Sequence, residues 1–139
     1  MKYKKISNKY IVRLEKDEEI VETLKKICIK EKINFGTIQG IGAVNRVIIG
    51  LFVSQEKKYY SKVFLGDFEI CPLVGNITTL NNDVYLHLHV NICDKNHKSF
   101  GGHLTFGIVS ATLELIIEKI DAKIEREFSK DIGLNLLKI

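Results

Sequence analysis

Tyr85–Val109, YLHLHVNICDKNHKSFGGHLTFGIV, is the stretch whose reading decides the fold, and it holds all four histidines of the chain. Leu86, Leu88 and Val90 alternate with Tyr85, His87 and His89, the period of a strand with one buried face, so both histidines project from the other face. The polar run Asp94–Ser99 and the pair Gly101–Gly102 break this pattern, and a second alternating run extends from His103 to Val109. An antiparallel hairpin with His89 opposite His103 places Leu88 opposite Leu104 and Leu86 opposite Phe106. One face is then continuous core, and the other carries His87, His89 and His103. Directly opposed residues lie roughly 4.5–5.5 Å apart at Cβ, close enough for three imidazoles to share one ion. His97 falls at the solvated tip and is not expected to be a ligand.

Three imidazoles on zinc leave a fourth position for water or substrate, the arrangement of a catalytic rather than a structural site. The associated chemistry is polarisation of a carbonyl or activation of water. Glu69 and Glu114 are candidate acids or bases and Arg46 a candidate for an anionic substrate, although the sequence does not fix their distance from the histidines. The competing reading is that the three histidines line a polar face or a cleft between copies and hydrogen bond to their neighbours. Glu69 equally suits a buried carboxylate paired with an amide or a lysine.

Working outward, 139 residues make one domain, 1–139, long enough to bury about two thirds of its unfolded surface. The hydrophobic share of 45% and the charged share of 27% are ordinary globular values and exclude a disordered or fibrous chain. Cys28, Cys71 and Cys93 are odd in number, sit in apolar runs and form no CxxC pair, so they read as reduced core residues rather than a zinc knuckle. The basic start MKYKKISNKY has no apolar segment behind it, and no apolar run approaches about 18 residues. The expectation is a cytoplasmic protein without a membrane partner. The net charge of +4 comes mostly from scattered lysines, with arginine only at positions 13, 46 and 126. That pattern fits a solvated surface better than a stripe for duplex DNA.

In chain order, residues 9–14 alternate as a strand. The face Ile20, Val21, Leu24, Ile27 and Cys28 then predicts an amphipathic helix over about 17–34, capped by Asp17, with lysines at its far end and Gly36 stopping it. In residues 36–54 the glycines 40 and 42 suggest a phosphate loop, but a β-rich run rather than a helix follows, so a bulged or closely packed strand is preferred. Turns are expected at Asn45–Arg46, Gly66–Asp67 and Asn81–Asp83. Pro72 marks an edge or a bulge. Residues 110–120 read as a strand in which Ile116 breaks the alternation, and 123–128 and 134–139 as two more. One helix among hairpin-connected strands gives an α+β domain with a largely antiparallel sheet.

GIGA at 40–43, GDFEI at 66–70, GNI at 75–77, HLHV at 87–90, GGHL at 101–104, TLE at 112–114 and GL at 133–134 occur in an order that resembles the PPC (plants and prokaryotes conserved) domain family. The resemblance spans nearly the whole chain. It implies a compact, mostly antiparallel α+β domain that assembles as a homotrimer, and a DNA-binding role attached to plant relatives. In those relatives an Arg-Gly-Arg-Pro AT-hook makes the duplex contact, and this sequence contains none. It also carries Asp67 where the plant motif has arginine. A weaker resemblance, to acetolactate decarboxylase, implies zinc held by a His-x-His pair and a later histidine, a pattern matched by His87, His89 and His103. Three functions follow as expectations: a DNA-binding or regulatory trimer, a zinc enzyme acting on a small oxo-acid, or a metal- or ligand-sensing scaffold without turnover.

Overall fold

The computed structural model describes residues 1–139 as β1 (Lys2–Ile6), β2 (Lys9–Glu15), α1 (Ile20–Lys30), β3 (Gly36–Val53), β4 (Lys58–Leu80), β5 (Asp83–Cys93), β6 (Ser99–Lys119), β7 (Arg126–Ser129) and β8 (Leu134–Leu137). The main sheet has the order β1-β2-β6-β3-β4-β5, and β5 also pairs with β6, so that β3, β4, β5 and β6 close into a ring. All pairings within it are antiparallel. The expected antiparallel sheet with one helix is therefore present, and β7 with β8 adds a separate two-stranded hairpin.

The strands are longer than their sequence punctuation suggests. Asn45–Arg46 is not a turn, because β3 runs unbroken through it and absorbs the irregularity as register shifts at Gly40/Gly42 and Val44/Arg46. The glycines belong to that strand because the neighbouring backbone passes very close. A Cβ at Gly42 would land on the Thr112 carbonyl oxygen and 2.6 Å from Leu113 Cα. Gly66–Asp67 is likewise no turn: Gly66, at φ +117°, lets β4 continue where a side chain would be strained. Pro72 sits in the register shift between Ile70 and Leu73, the bulge position that its missing N–H requires. Asn81 and Asn82 do form a turn, both at positive φ.

The helix is shorter than its apolar period. Asp17 does not cap it, since its backbone stands at φ +69° one turn earlier. Instead the Glu19 carboxylate accepts from Glu22 N at 2.6 Å and from Gly107 N at 3.0 Å, capping the helix and tying it to β6. At the other end Ile33 N donates to Cys28 O and Lys32 N to Ile29 O, while Lys32 takes φ +52°. This is a Schellman ending that stops the helix at Lys30, before Gly36 is reached. Ile20, Leu24, Ile27 and Cys28 face inward and are buried in the core with Leu88, Val90, Leu104 and Val109. Of the three cysteines expected in the core only Cys28 lies there: Cys71, next to the Pro72 bulge, is exposed, and Cys93, at the end of β5, is half-buried.

The outer face of the sheet positions the histidines. Direct cross-strand pairing links Ile11, Ile116, Gln39, Val74, His89 and His103 into one row. Ile116 thus breaks the alternation because it belongs to this outer row, where it is exposed.

Candidate metal centre

The register of the histidine strands is the expected one at its key pair, His89 opposite His103. The pairing then ends, and Leu88–Leu104 and Leu86–Phe106 are not partners. Leu88 pairs with Gly75 and Leu86 with Ile77 on β4, while Leu104 pairs with Ile49 and Phe106 with Ile48 on β3. The two strands splay, and α1 packs against both of them. Facing parity survives the splay: Leu88 and Leu104 are buried, and the histidines stay outside.

His87 and His89 are two apart on β5, and His103 sits across from His89 on β6. The ring centroids lie 5.1 Å (His87–His89), 5.3 Å (His87–His103) and 5.7 Å (His89–His103) apart. One ring nitrogen from each can be chosen so that all three lie within 4.8 Å of one another. Tetrahedral zinc, with bonds of about 2.0–2.1 Å, needs nitrogens roughly 3.4 Å apart, so small ring rotations close the remaining gap. His103 Nδ1 is buried and has no hydrogen-bond partner, an orphaned donor-acceptor atom of the kind that a cation would satisfy. Gly50, opposite His103 on β3, makes room beside it: a Cβ there would come within 3.2 Å of the Tyr59 ring, which stands 5.7 Å from the His103 ring.

The electrostatics suit the same purpose. Burial, the Arg126 guanidinium and the two other imidazoles push His87 down to about 4. Burial and His89 likewise lower His103. At neutral pH both are uncharged imidazoles with a lone pair to offer, which metal binding requires.

The C-terminal hairpin completes the surroundings, and sequence reasoning had missed this. Arg126, only 8% exposed, donates from Nε to Thr78 Oγ1 at 2.9 Å, from Nη1 to Asn135 O at 2.8 Å and from Nη2 to Asn76 Oδ1 at 2.8 Å. Nη2 also stands 3.5 Å from His87 Nδ1, and the guanidinium lies 4.8 Å from the centre of the Tyr85 ring. The sequence marks Arg126 only as one of three arginines, in a short strand outside the histidine stretch. A cavity of about 430 Å³ opens between this hairpin and the barrel, lined among others by Tyr59, Tyr85, His103, Thr105 and Asn135.

The other candidates have different surroundings. Arg46 is exposed and stacks 5.4 Å from the Phe106 ring. Glu69 borders a separate cavity with Cys71, Cys93 and His97, and Glu114 lines the apolar groove formed by Ile11, Ile41 and Val74. His97 is at the β5–β6 tip, where its N–H donates to Asp94 O at 2.8 Å, away from the three imidazoles.

The profile of the Plants and Prokaryotes Conserved (PCC) domain matches residues 1–121. Among solved structures, a candidate DNA-binding protein from Bacteroides thetaiotaomicron is 37% identical with TM-score 0.96, over 99% of this chain and 96% of that one. A plant- and prokaryote-conserved protein from Pyrococcus horikoshii is 30% identical with TM-score 0.87, over 99% and 94%. A metal-containing protein from Archaeoglobus fulgidus is 26% identical with TM-score 0.88, over the full length of both chains. A weaker likeness, 12% identical with TM-score 0.59, joins 87% of this chain to 55% of a Staphylococcus aureus protein described as similar to alpha-acetolactate decarboxylase. No curated protein matches. With the profile covering most of its length and near-complete structural overlap with a plant- and prokaryote-conserved protein, the chain belongs to the plants and prokaryotes conserved domain family.

Proposed function

We propose that this chain is a metal-binding PPC module in which His87, His89 and His103 hold one divalent transition ion, zinc being the ion that three imidazoles suit best. The observation that carries this reading is the convergence of one ring nitrogen from each of three imidazoles to within 4.8 Å of one another. The metal-containing description of the Archaeoglobus fulgidus relative supports it. When bound, the ion supplies Lewis acidity at an open coordination position. Around the site, Gly50 gives the Tyr59 ring room beside His103, and Arg126 ties β7 to Asn76 and Thr78 of β4. Metal analysis of protein purified without a histidine tag tests the reading, with a His103→Ala variant beside it. About one ion per chain, lost in the variant, is expected; metal absent from both refutes it.

Assembly into a homotrimer is part of the same proposal. Ile11, Ile41, Val74 and Ile116 are all at least 38% exposed and line one apolar groove on the outer face, next to His89 in the cross-strand row. Such a patch suits burial against another copy. A regulatory role on DNA is a second reading, supported by the candidate DNA-binding description of the Bacteroides thetaiotaomicron relative and by the charge of +4. Retention of an AT-rich duplex at low and at physiological salt tests it, and no retention at either sinks it. Turnover of a small oxo-acid, as against sensing without turnover, is distinguished by a substrate panel run on metal-loaded protein.

A further inference from the structure

Arg126 is a buried cation without a counter-ion. The chain's ion pairs involve Met1, Lys2, Lys9, Arg13 and Lys123, and none reaches Arg126. Its firm hydrogen bonds go to neutral acceptors only: a threonine hydroxyl, an asparagine amide and a backbone carbonyl. Of the five N–H groups of a guanidinium, one on Nη1 lacks an acceptor and one on Nη2 faces His87 Nδ1 at 3.5 Å. The acids nearest in sequence do not compensate: Glu125 pairs with Lys123 at 2.8 Å, and Glu127 is exposed.

Metal binding removes one of these partners, His87 Nδ1, and leaves the three neutral acceptors in place. If the ion takes His87 through Nδ1, that lone pair is used. If it takes Nε2, the ring proton moves to Nδ1, which becomes a donor. In both cases Nη2 of Arg126 loses His87 as a partner and is left beside a divalent cation, in a site without a carboxylate. A buried guanidinium N–H without an acceptor is costly, and two adjacent cations repel.

We propose that the centre takes a small organic carboxylate as its natural co-ligand, one oxygen at the open metal position and the other accepting from Arg126. This rests on the metal reading above. Arg126 offers the planar fork that recognises a carboxylate. The neighbouring cavity of about 430 Å³ supplies aromatic and hydroxyl surface from Tyr59, Tyr85 and Thr105 for the rest of a molecule of a few carbons. Arg126 is thereby an anion-binding residue, and the C-terminal hairpin, beyond the 1–121 family profile, is what brings it to the histidines.

The test uses the full chain loaded with Co²⁺, whose visible spectrum reports the coordination sphere, titrated with pyruvate, methyl pyruvate and inorganic phosphate. Pyruvate should change the spectrum saturably, its neutral ester should not, and phosphate should bind more weakly. Arg126→Gln should keep its cobalt and weaken pyruvate by about tenfold or more, with Arg126→Lys between the two. Pyruvate binding unchanged in Arg126→Gln overturns the proposal, as does an ester that binds equally well, phosphate that binds more tightly, or a cobalt-loaded wild type indifferent to pyruvate at tens of millimolar. Should the Gln variant fail to fold, the wild-type comparison of acid and ester decides alone. A wild type that takes up no cobalt refutes the metal reading itself, and the co-ligand proposal falls with it.

Discussion

Replacing Gly75 by alanine should damage the barrel and the histidine cluster together. Gly75 pairs with Leu88, midway between His87 and His89. A Cβ built on it lands on the His87 carbonyl oxygen and lies 2.7 Å from Leu88 Cδ2 and 3.0 Å from Leu88 Cα. Two of these atoms are backbone, so no rotamer change relieves the overlap and β5 itself must move outward. Overpacking of this kind costs about 1–3 kcal/mol, offset by up to ~1 kcal/mol because alanine restricts the unfolded chain more than glycine does. A net loss of about 1–2 kcal/mol lowers the melting temperature by roughly 3–8 °C. The same shift carries His87 and His89 away from His103, and disturbing the support of a ligand costs about 10–100-fold in metal affinity. Gly66→Ala is the control: nothing lies within 4 Å of its Cβ, and φ +117° alone makes it unfavourable. It should lose about 1–3 kcal/mol of stability and keep its metal affinity. Thermal denaturation and competitive zinc titration of both variants decide the matter. Gly75→Ala with an unchanged midpoint and an unchanged affinity would refute the close-approach reasoning.

Acidification should destabilise the metal-free protein. His87 protonates near 6.5 when unfolded but only near 4 when folded. Between those values the unfolded chain binds the extra proton, so stability is full above about pH 6.5 and falls as the pH drops toward 4. A His87→Gln variant should show a flatter urea-midpoint profile across that window. Thiol labelling of the native protein should modify exposed Cys71 and leave Cys28 untouched, since burial raises the Cys28 thiol to about 12; rapid Cys28 modification would contradict its place in the core. Ile41→Asp should convert the proposed trimer to smaller species in light scattering, Ile41 being 63% exposed in the apolar groove.

The hairpin was legible because strand parity is a local property. Leu86, Leu88 and Val90 could face inward only if His87 and His89 faced outward, and the glycine pair at 101–102 set the return. Where that pairing stops was not legible. It depends on β3 and β4 competing for the same strands and on α1 packing against both, contacts far apart in sequence. The long strands were hidden for a related reason: glycines and Asn45–Arg46 look like punctuation, yet Gly40 and Gly42 are needed because β6 passes well inside van der Waals contact of where their side chains would be. The helix start was misplaced because Asp17 and Glu19 are both plausible caps, and the choice is made by a β6 amide, Gly107 N, which only the fold brings to Glu19. Arg126 was invisible for the same reason: nothing near it in sequence marks it as a neighbour of His87, 39 positions earlier.

Metal content of the purified, untagged chain, measured by inductively coupled plasma mass spectrometry together with a His87→Ala/His103→Ala double variant, tests the central claim most directly. The three-imidazole geometry predicts close to one zinc per chain in the wild type and none in the variant. A wild type that remains empty after incubation with zinc, or a double variant that keeps its ion, would contradict it.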